Sequence, residues 1–180
     1  MDLTETTLGS ERLYNGRVVN LRVDRVRLPN GKEGKREVVE HAGAVCVVPM
    51  SDAETVLLVR QWRHPVGAPL LEVPAGGVEE GEDPAATARR ELAEEIGRVP
   101  GRLLPLYEAY LAPGYSTEKM YAYLALDLRE APETPDEDEF VEIVSMSLAD
   151  ALDACSDGRI VDAKTIAALG LAARLLEKGV

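Results

Sequence analysis

The run from Asp83 to Gly97 constrains this chain most, because it carries helix start and stop signals at its two ends. Asp83 is a favoured N-cap type, and Pro84 suits the first helical position, where its missing N–H costs nothing. Gly97 suits the left-handed residue that closes many helices. The spacing predicts a helix over 84–96. At about 100° per residue, Glu91, Glu94 and Glu95 share one face at i, i+3 and i+4, and Ala85, Ala88, Leu92 and Ile96 share the adjoining one. The acids therefore border the buried stripe. Like charges at i, i+4 oppose a helix, so a chain that keeps three such carboxylates together gains something from the cluster. Hard divalent cations, which take oxygen ligands and complete their shell with water and phosphate, fit that description. A solvated acidic face is the plainer reading, and Arg90 supports it by offering Glu94 an i, i+4 ion pair.

The remaining composition bounds the setting. A length of 180 residues suits one domain with a short appendage, large enough to bury a core without disulfides. A net charge of −12 disfavours nucleic acid and anionic membranes as partners. A small phosphorylated substrate is compatible with that charge if divalent cations sit among the carboxylates. Cys46 lies in an apolar run and reads as a small hydrophobe; with Cys155 as the only other cysteine there is no disulfide framework. A polar, acidic N-terminus and the lack of any apolar run of membrane-spanning length make a cytoplasmic location the expectation.

Loosely alternating apolar residues over 11–28, a turn at Pro29-Asn-Gly-Lys32 and the Val38-Val39 pair predict strands within 1–40. Strands are also expected at 42–49, 55–60, 70–73, 103–112, 119–128 and 140–146. Helices are expected at 148–155, capped by Ser147, and at 163–177, ending at Gly179. An acidic loop spans 130–139. Many strands and few helices, the helices gathered after the middle, make this a mixed α+β layout. Neither GxxxxGK[ST] nor GxGxxG is present, which removes the nucleotide sites built on those loops. His41 and His64 are isolated and read as structural.

Gly76, five residues, Glu82, seven residues, Arg90-Glu91-Leu92, one residue, Glu94-Glu95, one residue and Gly97 together resemble the Nudix box, the loop–helix–loop motif of the Nudix hydrolases. Arg98 departs from it, where the family has an aliphatic residue that packs the helix end. Glu72-Val-Pro-Ala-Gly76 resembles the lead-in of the ADP-ribose pyrophosphatase subfamily. Pro113, 16 residues after Gly97, is similar to its ADP-sugar marker, which GDP-mannose hydrolases share. The segments Arg36-Glu-Val-Val-Glu-His41, Gln61-Trp-Arg63, Pro113-Gly-Tyr-Ser-Thr-Glu118 and Asp136-Glu-Asp-Glu139 also resemble blocks of that subfamily. The resemblance implies an α/β/α sandwich with a mixed β-sheet over 41–180, preceded by a small antiparallel sheet over 1–40 that dimerises.

The resemblance also implies roles. Glu91 and Glu95 are the main ligands of Mg²⁺, with Mn²⁺ a possible substitute; Glu94, the Ala75 carbonyl and Glu139 complete the metal set. Arg90 orients the glutamates. Glu82 reaches the cluster or binds a metal through water. Glu137 is the general base, with Glu118 the competitor for that role or a contact to the terminal ribose. Arg63 grips phosphate oxygens, a task suited to a guanidinium. Arg36 and Glu37 meet the adenine from a partner subunit. Plain readings stand beside these: a solvated acidic loop at 130–139, a strand-end surface arginine at 63, and an edge-strand ion pair at 36 and 37. Trp62 covers an adenine ring or packs in a core or dimer interface.

The expected reaction is Mg²⁺-dependent hydrolysis of the pyrophosphate bond of a nucleoside diphosphate sugar, ADP-ribose giving AMP and ribose 5-phosphate. No nucleic acid or membrane partner is expected, and a homodimer is. GDP-mannose or another nucleoside diphosphate derivative is the alternative substrate. A non-catalytic Nudix-fold binding module is the rival class, disfavoured by the intact glutamate cluster.

Overall fold

A computed structural model describes residues 1–131 and 140–180. Its tertiary contacts divide the chain into two compact units, 1–43 with 110–119, and 44–109 with 120–180.

In the first unit, β1 (Thr6–Asn15), β2 (Asn20–Arg27) and β3 (Glu33–Glu40) form an antiparallel sheet in that order. The β2–β3 hairpin turns where the Pro29-Asn-Gly-Lys32 signal predicts. Gly31 adopts φ 82° and donates its N–H to the Leu28 carbonyl at 2.8 Å, a geometry that favours glycine. The segment 110–119 runs along β3: the Val39 N–H donates to the Tyr115 carbonyl at 2.8 Å, and the Thr117 N–H to the Val39 carbonyl at 3.0 Å. The apolar residues that suggested strands over 11–28 are not all core. Val26 is buried, whereas Leu13, Tyr14 and Val18 are exposed, because a thin sheet covers little of itself.

The second unit contains β4 (Ala44–Pro49), β5 (Thr55–Arg63), β6 (Ala68–Glu72), β7 (Ala75–Gly77), α1 (Pro84–Ile96), β8 (Arg98–Tyr110, its last residue excepted) and β9 (Lys119–Glu130, its first excepted). It ends with β10 (Glu142–Ser147), α2 (Leu148–Asp157) and α3 (Ala163–Leu176). One sheet has the order β7-β4-β9-β8; β4 lies antiparallel to β7 and parallel to β9, so the sheet is mixed. The other, β10-β5-β6, is antiparallel.

β4 explains the layering. All of Val45, Cys46, Val47 and Val48 are fully buried. Val45 and Val47 pack with Ala88, Leu92 and Ile96 of α1. Cys46 and Val48 pack with Ala151 and Ala154 of α2 and with Ala168, Leu169 and Ala172 of α3. Alternate residues of one strand thus enter two cores, and a strand covered on both faces reads as an unbroken apolar run. The result is the helix–sheet–helix sandwich expected.

Helix ends agree in place more than in chemistry. Gly97 closes α1 in the left-handed region, φ 63° and ψ 34°, its N–H donating to the Ala93 carbonyl at 3.1 Å. Asp83 sits at the N-cap, but its side chain makes no capping bond; its backbone carbonyl accepts from Ala86 and Thr87 instead. The Ser147 hydroxyl does cap α2, accepting from the Asp150 N–H at 3.0 Å. α3 stops at Leu176, before the expected Gly179, with Glu177 as a right-handed cap. The three-residue β7 was not expected. Among the described residues no helix is long and apolar enough to cross a membrane.

Candidate active site

The buried stripe of α1 docks on β4, and this fixes where its acidic face lies. Glu91 and Glu95 are each only 6% exposed. Burying a carboxylate is costly unless hydrogen bonds and countercharge compensate. The compensation comes from β7 and from Arg90. Glu95 Oε2 accepts the Ala75 N–H at 3.0 Å. Arg90 Nη1 donates to Glu91 Oε1 and to Glu94 Oε2, both at 2.8 Å. On its other side Arg90 reaches Glu82, Nε to Oε1 at 3.3 Å and Nη2 to Oε2 at 3.2 Å, and also the Gly77 carbonyl at 3.3 Å. One guanidinium therefore binds three carboxylates and the β7 backbone. The Arg90 hydrogen bond holds the Glu82 carboxyl down at about 2, and the three acids hold the Arg90 guanidinium above its ordinary range.

β7 passes close to the helix at Gly76. A Cβ built there would overlap the Glu91 carboxylate, so only glycine leaves that carboxylate its position. The donor set is all oxygen: Glu91 and Glu95 one turn apart, Glu94 beside them, and the backbone of Ala75. Among the described residues no three His, Cys, Asp or Glu side chains are gathered closely enough to hold a metal ion by themselves. Mg²⁺ does not require such a group, since it binds through one or two carboxylates and fills its octahedron with water and phosphate oxygens. The residues present fit a hard divalent cation.

A second buried cluster, which the sequence reading did not assemble, lies at the ends of β5 and β6. Glu72, 1% exposed, accepts from Arg63 in bidentate fashion, Nε at 2.7 Å and Nη2 at 2.8 Å, and from Lys164 Nζ. Lys164 also bonds Asp162 Oδ2 at 2.9 Å. Burial alone would raise the Glu72 carboxyl, but the bonds from Arg63 and Lys164 outweigh it and hold the group below its usual range. Arg63 is thus no loose strand-end arginine. Glu72 lies in the motif's lead-in, yet nothing in the sequence links it to Lys164.

The other expected site residues are distributed as follows. Arg36, Glu37 and Glu118 belong to the first unit. Arg36 bonds Glu5 and donates to the Lys35 carbonyl at 2.9 Å. Glu37 is an exposed residue of β3 paired with Val23, and the Glu118 N–H donates to Ser116 Oγ at 3.1 Å. Glu137 and Glu139 lie outside the described residues. Trp62 is not a core residue of this chain: it is exposed, beside Phe140 and Pro69. Arg98 keeps its charge toward the surface, 3.7 Å from Glu130, which is how the helix end accommodates it.

Known proteins resemble this chain over most of its length. The family model described as NUDIX domain matches residues 40–169, and the one described as Nucleoside diphosphate sugar hydrolase N-terminal domain matches residues 5–39. The chain belongs to the Nudix family of pyrophosphohydrolases, whose members generally use divalent metal ions. It is 41% identical over 169 residues to an ADP-ribose pyrophosphatase of Bacillus subtilis (strain 168), covering 93% of this chain and 91% of that one. A GDP-mannose pyrophosphatase of Yersinia pestis (strain Pestoides F) is 37% identical over 141 residues, 73% of this chain and 71% of that one. A crystal structure of an ADP compounds hydrolase superposes with a TM-score of 0.87 at 27% identity, covering 99% of this chain and 97% of that one.

Proposed function

We propose that the chain hydrolyses the pyrophosphate bond of ADP-ribose, releasing AMP and ribose 5-phosphate, with Mg²⁺ or Mn²⁺ and as a homodimer. The observation that carries the reading is the buried Glu91–Glu95 pair, braced by Arg90 and by the β7 backbone and bordered by a glycine that admits the Glu91 carboxylate. Similarity to an ADP-ribose pyrophosphatase over nearly the full chain supports the substrate.

In this mechanism Glu91 and Glu95 hold the cation, with Glu94 and the Ala75 carbonyl beside them. The bound cation supplies charge neutralisation at the diphosphate and lowers the pKa of the attacking water. Arg90 keeps the glutamates in one geometry. Arg63 binds phosphate oxygens through N–H groups not engaged by Glu72. Glu137 takes the proton of the attacking water, and Glu139 adds an acidic ligand; Glu118 is the competing base. Arg36 and Glu37 contact the adenine from the partner subunit.

GDP-mannose is the second reading, favoured by the Yersinia pestis relative. Both readings are separated by incubating the protein with a panel of nucleotide sugars and dinucleotides, with and without Mg²⁺, and resolving the products by chromatography. ADP-ribose is expected to turn over fastest, only with metal. In Glu95→Gln, which keeps an oxygen acceptor for the Ala75 N–H, turnover is expected to fall by more than ~100-fold with the fold retained. Faster turnover of GDP-mannose moves the substrate, no turnover of any compound makes the chain a binding module, and wild-type activity in Glu95→Gln removes the metal assignment.

A further inference from the structure

The buried cluster at Glu72 links α3 to the strand that carries Arg63. Glu72 is fully buried, and both of its oxygens are engaged: Oε1 by Arg63, Oε2 by Arg63 and by Lys164. Lys164 is itself only 11% exposed and is tied to Asp162, the N-cap residue of its own helix. The next residue makes a second tie. The Val73 N–H donates to Thr165 Oγ1 at 3.0 Å, and Asp162 accepts the Thr165 N–H at 3.0 Å. The first turn of α3 thus holds both Glu72 and the residue after it.

A guanidinium carries five N–H groups on a rigid fork. Arg63 gives two of them, one on Nε and one on Nη2, to Glu72. Three remain, and those on Nη1 and Nη2 form an edge of the shape that accepts two phosphate oxygens. Its side chain is 35% exposed, so the group is not sealed in. What Arg63 offers a diphosphate then depends on how firmly Glu72 is fixed. A carboxylate held by one partly exposed arginine can turn and take water; one also held by a buried lysine cannot. Lys164 further shares the charge of Glu72, which leaves the Arg63 charge less fully cancelled.

We propose that Lys164 is a positioning residue for substrate affinity, acting through Glu72 to hold the Arg63 guanidinium toward the diphosphate. The proposal rests on the assignment of Arg63 as a substrate contact, and the test separates the two. Steady-state kinetics with ADP-ribose at saturating Mg²⁺ are measured for Lys164→Met, Lys164→Arg, Arg63→Ala and the double variant Arg63→Ala/Lys164→Met, with melting temperatures as a folding control. Lys164→Met is expected to raise KM on the order of tenfold with kcat little changed. Lys164→Arg, which returns the charge, is expected to restore most of the affinity. In the Arg63→Ala background Lys164→Met is expected to leave KM where Arg63→Ala put it, because coupled residues are not additive. The same KM increase in both backgrounds, or a fall in kcat alone, overturns the role of Lys164. A wild-type KM in Arg63→Ala overturns the assignment of Arg63, and the proposal with it. Loss of one member of a buried ion pair can unfold a protein, so Asp162→Asn serves as a second variant. It keeps a good N-cap and removes the countercharge that steadies Lys164. A smaller KM increase that disappears with Arg63→Ala is expected, and an unchanged KM refutes the brace.

Discussion

Glu82 precedes α1 and spends both carboxylate oxygens on Arg90. That hydrogen bond lowers the carboxyl from 4.5 to about 2. A group depressed in the folded state contributes stability above its unfolded value and loses it as pH falls through the folded one. The difference in urea midpoint between the wild type and Glu82→Gln should therefore be constant above the ordinary carboxylate range and shrink toward zero near pH 2. A difference that stays flat down to pH 2 would mean the Glu82 charge adds nothing to folding. Residues that are neighbours in sequence carry their arrangement in local spacing. Helical spacing alone put Glu91, Glu94 and Glu95 on one face and paired Arg90 with Glu94. It failed at Glu72 and Lys164, 92 positions apart, which no local periodicity can bring together.

The helices differ in how they begin, and this is visible only in atomic detail. Ser147 makes its capping bond and Asp83 does not, although both are favoured cap types. Ser147→Ala should cost about 1 kcal/mol of unfolding free energy and Asp83→Ala much less, read from chemical denaturation. Equal losses would show that Asp83 caps after all. Composition cannot separate the two, because either residue satisfies the same orphan N–H groups. β7 escaped prediction for a related reason. Ala75-Gly-Gly has no β-branched or aromatic residue, and its strand character comes wholly from pairing with Ala44, Val45 and Cys46. The strong elements, α1 and the apolar run of β4, carry their own signals and were legible.

The mixed α+β layout followed from the strand-rich first half and the helices gathered after the middle of the chain, whereas the α/β/α sandwich came from the resemblance to the Nudix family. The N-terminal sheet is where single-chain logic stops. Leu13 of its first strand and Val18 of the β1–β2 connection are 55% and 63% exposed, apolar surface of the kind that marks an interface. Sedimentation equilibrium should return the mass of two chains, and replacing both residues by glutamate should return that of one. A wild-type monomer would remove the partner subunit from the site and leave Arg36 and Glu37 as surface residues. Glu137 and Glu139, whose roles the Nudix resemblance implies, lie outside the described residues.

The overlap between a side chain at residue 76 and the Glu91 carboxylate has an uneven consequence. What would have to yield is the buried tip of the Glu91 side chain, with its bond from Arg90, and not the backbone around it. An alanine at residue 76 would displace the acid proposed to hold the cation while leaving the backbone around it in place. Turnover would then fall further than any change in melting temperature accounts for.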